Sequence, residues 1–165
     1  RLVLPAIHHQ LNKQEFLKRR IIVPFASSRG HYKADAAIVW CFDDRFSGLL
    51  QRFVKEKKMG RKDLVVIAGG LKTLVSPDKE SDREFVLGQI QASIKLHAPS
   101  KIYLMVHSDC GKYGGLKNFG DDPNKELEHY VKEAKKAKEY LAEHIPENVS
   151  VETLFADFSG VYRLG

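Results

Sequence analysis

The chain has 165 residues, carries a formal net charge of +6 and is 43% apolar. This length and composition indicate one globular domain with a substantial core. The longest apolar runs, Ala36–Phe42 and Leu64–Ala68, are far shorter than the roughly 20 residues of a membrane-spanning helix, so the sequence predicts no membrane protein.

The two cysteines are too few for a fold that depends on disulfides. They indicate thiolates that act in a reducing compartment, and we expect a cytoplasmic protein. No targeting segment is visible at the start of the sequence. Because the sequence begins at Arg1 rather than Met, this absence carries little weight.

Residues 1–33 are predicted to form an N-terminal arm, separate from the main domain at residues 34–165. The arm has a short helix within Gln10–Arg20, an extended stretch at Ile21–Phe25 and then a loop rich in serine and glycine. We expect it to pack on the main domain or on a partner subunit.

From residue 34 onward, predicted buried strands alternate with amphipathic helices. Continuous apolar runs predict strands at Ala36–Cys41, Leu64–Ala68, Lys101–His107 and Val149–Phe158. Helical spacing predicts helices at Phe46–Lys57, from the capping-box sequence Ser81–Glu84 to about His97, and from Asp122–Pro123 to about His144. The expected fold is α/β, with a mostly parallel central sheet of about four to five strands flanked by helices.

The last two predicted helices each have an apolar stripe. One stripe consists of Phe85, Val86, Ile90 and Ile94, and the other of Leu127, Tyr130, Val131, Ala134, Ala137 and Leu141. The remaining face of the last helix mixes lysine and glutamate, which is typical of a solvated surface.

A basic run at Lys55–Lys62 is the strongest charge feature of the sequence. Such a run can contact phosphates. No aromatic residues are interleaved with it, as a surface that stacks nucleic-acid bases would require. We therefore interpret it as a solvated helix end and turn and expect no nucleic-acid partner.

Unusual residues follow three of the predicted strands. The strand ends are Cys41-Phe42-Asp43-Asp44-Arg45, Ala68-Gly69-Gly70 and His107-Ser108-Asp109-Cys110-Gly111. Ligands of open parallel sheets gather outside the carboxyl ends of the strands, so these residues are expected to lie close together. Both cysteines of the chain are among them.

Cys41, His107 and Cys110 would form a Cys₂His set if the strand ends converge. Zinc favours thiolate and imidazole ligands in tetrahedral geometry, and three protein ligands leave the fourth position that a catalytic site requires. Two alternatives remain open from spacing alone. The cysteines could be small buried hydrophobes, or a redox pair, although no Cys-x-x-Cys is present.

Asp43 and Arg45 are two residues apart just beyond the first strand. A carboxylate at that position could bind zinc, accept a hydrogen bond from zinc-bound water or form a bidentate salt bridge with the arginine. The alternative is the ordinary preference of carboxylates for a helix N-terminus, which suits Asp44 better than Asp43.

Taken together, Cys41-x-Asp43-x-Arg45 and His107-x-x-Cys110-Gly111 resemble the paired signature of the β-class carbonic anhydrases. The order of strands and helices from about Ala36 to the C-terminus fits that family too. The resemblance implies a β-carbonic-anhydrase-like fold and a zinc-dependent lyase, carbonate dehydratase.

The resemblance also implies roles for individual residues. Cys41, His107 and Cys110 would be the ligands of a Zn²⁺ cofactor. Asp43 and Arg45 would be catalytic. Asp43 would act either as a fourth metal ligand or as the partner of Arg45, which would hold it away from the metal.

The turn Ala68-Gly69-Gly70 resembles the end of the family's Arg-Asn-Ala-Gly stretch and would line the substrate pocket. Val66 and Ile67 stand where that stretch has arginine and asparagine. The sequence thus departs from the family pattern at the substrate pocket and at part of the subunit interface.

The implied reaction is the reversible hydration of carbon dioxide to bicarbonate, in which zinc-bound hydroxide attacks the carbon atom. Alternatives are hydrolysis of carbonyl sulfide or carbon disulfide on the same scaffold, and a non-catalytic zinc-binding relative. The resemblance also implies a homodimer or a dimer-based oligomer. Candidate proton relays are His31, His97 and Tyr113, among which the sequence does not choose.

Overall fold

The computed structural model describes residues 13–18 and 20–165. The chain divides into two units, Arg1–His31 and Tyr32–Gly165. In the first, Lys13–Lys18 forms a short helix, α1, within the predicted Gln10–Arg20 segment, of which residues 10–12 and 19 lie outside the described residues. Ile21–Phe25 has no regular secondary structure. The packing of the arm on the domain or on a partner stays a prediction.

A five-stranded sheet forms the centre of the second unit. Its strands are β1 (Ala36–Cys41), β2 (Lys62–Ile67), β3 (Lys101–His107), β4 (Ser150–Ala156) and β5 (Val161–Arg163). Their spatial order is β2-β1-β3-β4-β5; the first four are parallel, and β5 is antiparallel to β4. The predicted α/β fold with a mostly parallel sheet is confirmed. Because β5 has only three residues, it is too short to leave a periodic pattern in the sequence.

The helices of this unit are α2 (Ser47–Glu56), α3 (Lys72–Val75), α4 (Glu80–His97) and α5 (Pro123–Ala142). Short 3₁₀ turns occupy Asp44–Phe46, Gly111–Tyr113 and Leu116–Phe119. The predicted cap of α5 is present, because the Asp122 side chain accepts a hydrogen bond from the Asn124 N–H at 2.9 Å. Among the described residues, no helix has the length and apolar character to cross a membrane.

The predicted start of α4 is wrong. The helix begins at Glu80 with Lys79 as its N-cap, and no side chain caps it. Ser81 therefore lies inside the first turn, where Glu80 and Asp82 favour the positive end of the helix dipole. Phe85 is also exposed rather than part of the buried stripe.

The prediction that β2 is buried on both faces is wrong as well. Among the described residues it is an edge strand, paired only with β1. Leu64 and Val66 are 47% and 46% exposed, whereas every residue of β1 is buried. An apolar strand with a free edge is an unusual surface for an isolated chain.

The carboxyl ends of β1 and β3 separate, and the turn after β2 enters the space between them. Pairing of these two strands ends at Val39 and Leu104. Beyond that point the Leu71 N–H donates to the Met105 carbonyl oxygen at 2.9 Å. Gly70 precedes this contact with a φ of +56°, and a Cβ atom there would lie 2.1 Å from the Met105 oxygen.

The Gly70→Ala variant is expected to lose roughly 3 kcal/mol or more of unfolding free energy, because the new methyl group has no space and the left-handed backbone becomes strained. Urea denaturation measures this loss. Gly88→Ala is the matched control: Gly88 lies within α4 with no neighbour within 4 Å of the added carbon. It should gain about 0.5–1 kcal/mol from helix propensity. Equal stability of Gly70→Ala and the wild type would contradict the packing described for this turn.

Candidate metal centre

Three side chains with metal-binding atoms converge where β1 and β3 separate. Cys41 is the last residue of β1, His107 is the last residue of β3, and Cys110 follows three residues later. Their ligand atoms lie within 4.8 Å of one another, and all three residues are buried. The structure thus brings together the three ligands expected from the sequence.

The His107 ring is oriented by its own backbone. Nδ1 lies 2.9 Å from the Ser108 carbonyl oxygen, a contact that assigns the ring proton to Nδ1. Nε2 is buried and has no hydrogen-bond partner of good geometry among the described residues. A buried acceptor nitrogen without a partner, next to two sulfur atoms, is the state expected of a metal ligand.

The two cysteine sulfurs lie within 4.8 Å of each other, and each shifts the pKa of the other. The neighbouring Cys110 thiol is the main cause that lowers the pKa of Cys41, against the opposing effect of burial. The Gly69 N–H also donates to the Cys41 sulfur, at 3.3 Å. The Cys41 sulfur in turn raises the pKa of Cys110. Binding of a metal to both sulfurs would displace the proton of Cys110.

The protonation of His107 reflects two opposing effects. Burial lowers the pKa of the ring, but the neighbouring Cys41 sulfur and the Ser108 carbonyl raise it further than burial lowers it. A negative sulfur beside the ring therefore favours the imidazolium when no metal is present. A cation at the same place would compete with that proton, so the donor set fits a divalent metal.

This donor set has the chemistry of a catalytic zinc site. It consists of two thiols and one imidazole, and no fourth His, Cys, Asp or Glu joins the group among the residues that the structure describes. Zinc with three protein ligands keeps a position for water or substrate.

Asp43 is turned toward Arg45. Arg45 donates from Nη2 to Asp43 Oδ2 at 2.7 Å and from Nε to Asp43 Oδ1 at 3.0 Å. These hydrogen bonds lower the pKa of Asp43. Asp43 Oδ2 lies only 3.8 Å from His107 Nε2, so the paired carboxylate remains next to the candidate metal position.

Arg45 is held from its other side by Asp109. Its Nη1 donates to Asp109 Oδ2 at 3.1 Å, and its Nη2 donates to the Asp109 carbonyl oxygen at 3.0 Å. The guanidinium carbon also lies 5.5 Å from the centre of the Phe158 ring. Sequence analysis did not assign Asp109 a role, because its contact with Arg45 crosses 64 residues of chain.

A pocket of about 490 Å³ opens in front of the thiols. Its walls include Cys41, Cys110, Asp43 and the Ala68–Gly69 part of the predicted turn. Gly70 does not line it but packs against Met105. Neither of the two sequence departures lines it: Val66 lines an adjacent groove, which shares Cys41 and Phe42 with this pocket, and Ile67 is half-buried.

The candidate proton relays are not equivalent. His97 lies at the amino ends of the strands, where its Nδ1 contacts Asp63 at 2.8 Å, so its candidacy as a relay for this site is wrong. Tyr113 is buried near Cys110 and donates to Glu133 at 3.2 Å; burial raises its pKa. His31 belongs to the first unit.

Two glutamates of α5 are buried rather than solvated, which contradicts the expectation for that helix. Glu126 is 1% exposed and Glu133 is 5% exposed, whereas Leu127 and Val131 from the predicted apolar stripe are 37% and 47% exposed. Helical spacing could have revealed this, because Glu126 and Glu133 lie four residues before and three residues after the buried Tyr130.

A family model described as "Putative carbonic anhydrase" matches residues 32–162. The chain belongs to this carbonic anhydrase family. The match covers the sheet except the last residue of β5 and includes every residue of the candidate metal centre, and it confirms the resemblance found in the sequence. None of the curated proteins matches the sequence.

Solved structures with the same fold include two carbonic anhydrases. The β-carbonic anhydrase isoform I of Trichomonas vaginalis is 19% identical, with 92% of each chain covered and a TM-score of 0.59. A carbonic anhydrase from Glaciozyma antarctica is 14% identical, with 98% of this chain and 100% of that chain covered and a TM-score of 0.56. A carbon disulfide hydrolase in its apo form is also 14% identical, covers 92% and 85%, and has a TM-score of 0.53.

We expect the protein purified without oxygen to contain about one zinc ion per chain, and the His107→Gln variant to lose it, because two thiols without the imidazole make an incomplete site. Elemental analysis by mass spectrometry measures both. His144→Gln is the matched control, since His144 Nδ1 also contacts a backbone carbonyl, that of Tyr140 at 2.7 Å, but lies far along the chain on an exposed surface. A wild-type protein without zinc would refute the metal assignment.

Proposed function

We propose that this member of the carbonic anhydrase family catalyses the zinc-dependent reversible hydration of carbon dioxide to bicarbonate. The observation that carries the proposal is the buried Cys41–His107–Cys110 group with the Asp43–Arg45 pair at its edge. This group offers three ligands for a metal and, beside them, an ionised carboxylate that can orient a nucleophile.

Some residues of the group would hold the metal, and others would orient the nucleophile. Cys41, His107 and Cys110 would hold the zinc ion, which would supply a nucleophilic hydroxide by lowering the pKa of a bound water from about 15.7 toward about 7. Asp43, kept ionised by Arg45, would accept a hydrogen bond from the nucleophile and so orient its lone pair toward the substrate.

Arg45 would keep Asp43 off the metal. Its three hydrogen bonds to the Asp43 carboxylate and its two to Asp109 fix the guanidinium, and through it the carboxylate. An apolar substrate would enter along the pocket wall formed by Phe42, Ala68 and Gly69. Bicarbonate would leave past Lys112, the cationic residue of the same wall.

Carbon dioxide hydration, measured by stopped flow, is expected to rise toward alkaline pH. Two thiolates cancel the formal charge of zinc and make it a weaker Lewis acid than zinc held by three neutral histidines, so the pKa of its water should lie above the value of about 7 seen with that ligand set. A rate that is already constant by about pH 6.5 would contradict this reasoning.

Asp43→Asn and Asp44→Asn form a matched pair for the same assay. Asp43→Asn removes the charged acceptor and should lower the hydration rate by about 100-fold. Asp44 is adjacent, but its carboxylate accepts from the Ser47 hydroxyl at 2.8 Å at the start of a helix, so Asp44→Asn should retain the rate. Similar losses in both variants would remove Asp43 from the mechanism.

Hydrolysis of carbonyl sulfide or carbon disulfide is the second candidate function. It is favoured by one observation, the apolar Val66-Ile67 pair at the position where the resemblance expects arginine and asparagine. Both substrates need the same nucleophile with a different access route. Release of hydrogen sulfide from either compound, by zinc-containing protein that does not hydrate carbon dioxide, would favour this candidate. A zinc-containing protein without either activity would be a non-catalytic relative.

We also propose that the chain forms a dimer through the free edge of β2. This strand has no second neighbour among the described residues and exposes Leu64 and Val66 there. Pairing with a second copy would satisfy the hydrogen-bonding groups of the edge and cover both side chains.

A cytoplasmic location, expected from two free cysteines in place of a disulfide, stays a prediction.

Sedimentation velocity at micromolar concentration should show a dimer for the wild type and a monomer for Val66→Glu, because a charge at a buried edge pair is costly to desolvate. Phe85→Glu is the matched control. Phe85 is also a large exposed apolar residue, 64% exposed, but it lies near the amino end of α4 and not on β2. A monomeric wild type, or a dimer that persists in Val66→Glu, would place the interface elsewhere or remove it.

A further inference from the structure

Glu126 lies in the first turn of α5, yet its side chain points into the protein. Only 1% of its surface is exposed, and within residues 32–165 no basic side chain forms a salt bridge with it. A buried carboxyl group without a counter-charge is costly unless hydrogen bonds satisfy it. The groups that satisfy Glu126 belong mostly to the loop that carries the candidate metal ligands.

The carboxyl group of Glu126 accepts three hydrogen bonds. Oε2 accepts from the Ser108 hydroxyl at 2.8 Å, and Oε1 accepts from the Asp109 backbone N–H at 2.7 Å. Oε1 also accepts from the Tyr130 hydroxyl at 3.1 Å. Ser108 and Asp109 are the two residues that separate His107 from Cys110.

Ser108 and Asp109 determine the geometry of two parts of the candidate site, the His107 ring and the Arg45–Asp43 pair. The Ser108 carbonyl orients the His107 ring. Asp109 has a left-handed backbone with a φ of +55°, a conformation that is strained for a residue other than glycine unless its surroundings stabilise it. Asp109 also binds Arg45 through its carboxylate and its carbonyl oxygen, and Arg45 in turn holds Asp43.

We propose that Glu126 is a positioning residue for the metal centre, whose buried carboxyl group holds the Ser108–Asp109 turn so that the His107 ring and the Cys110 sulfur face Cys41. This inference rests on the metal site proposed above. Glu126 itself touches neither the metal position nor the substrate pocket. It acts on them through the backbone of the turn.

The Glu126→Met variant tests the role of the acceptor. Methionine preserves the length of the side chain and its helix propensity but leaves the Asp109 N–H without a partner. Loss of a residue that orients metal ligands from outside typically lowers metal affinity by about 10–100-fold. We expect a loss of zinc affinity of that size, measured by competition with a chelator. The visible absorption of Co²⁺ in the same site should change in intensity, because it depends on four-coordinate geometry.

Glu126→Gln should rescue most of the zinc affinity. Its amide oxygen can still accept from the Asp109 N–H, while its NH₂ group can donate to the Ser108 hydroxyl oxygen. Glu133→Met is the matched control on the same helix. Glu133 is also buried and accepts from the Ser76 and Tyr113 hydroxyls at 2.7 and 3.2 Å, but it does not contact residues 107–110. Its variant should bind zinc as the wild type does.

The results separate this inference from the function on which it rests. If the wild type binds no zinc, the metal site and the role of Glu126 both fail. If the wild type binds zinc but Glu126→Met has wild-type affinity and Co²⁺ absorption, or weakens binding no more than Glu133→Met, only the role of Glu126 fails. Absence of carbon dioxide hydration leaves the test intact, since neither readout depends on it.

Ser108→Ala covers the case in which Glu126→Met does not fold. It removes one donor to the Glu126 carboxyl group and retains the Ser108 carbonyl that orients His107. We expect weaker zinc binding than in the wild type, by less than in Glu126→Met. Unchanged zinc affinity of Ser108→Ala would then overturn the inference.

Discussion

The separation of β1 from β3 at their carboxyl ends is the constraint on which the candidate site depends. Regular pairing of these strands stops at Val39 and Leu104. Beyond that point the Leu71 N–H, rather than β1, donates to the carbonyl oxygen of Met105 on β3. A continuous ladder would close this space with backbone. The opening lets side chains from two neighbouring strand ends point at one place, and the small turn before Leu71 brings the Gly69 N–H to the Cys41 sulfur.

A second set of contacts connects the site to α5. Burial of a carboxyl group costs free energy. For the two carboxyl groups of this helix, hydrogen bonds from hydroxyl and amide donors offset that cost. Apolar side chains at the same positions would fill space but would not select one conformation of the 108–110 turn. In this view the polar contacts of α5 contribute geometry more than stability, and the apolar residues Tyr130, Ala134 and Leu141 supply the burial that keeps the helix in place.

Much of the fold and the site could be predicted from the residues because their signals are local. β1 is apolar without interruption, and Cys41 and the His107–Cys110 pair immediately follow apolar runs, so their convergence needs only the topology of a parallel sheet. Leu64 and Val66 were misjudged because an apolar strand looks the same in sequence whether its neighbour is this chain or another one. Glu126 and Asp109 were missed because their partners are distant in sequence, at 17 and 64 residues.

The proximity of the Cys41 and Cys110 sulfurs has a consequence for the lifetime of the protein. A thiolate beside a thiol is the arrangement from which a disulfide forms once an oxidant removes two electrons and the remaining proton leaves. Zinc bound to both thiolates would engage the sulfur electron pairs that an oxidant attacks, and so would slow this reaction. A disulfide, in contrast, can no longer accept the metal. Loss of zinc in an oxidising environment would thus persist until the disulfide is reduced. The same two sulfur atoms that would make the site active also set the conditions under which it survives.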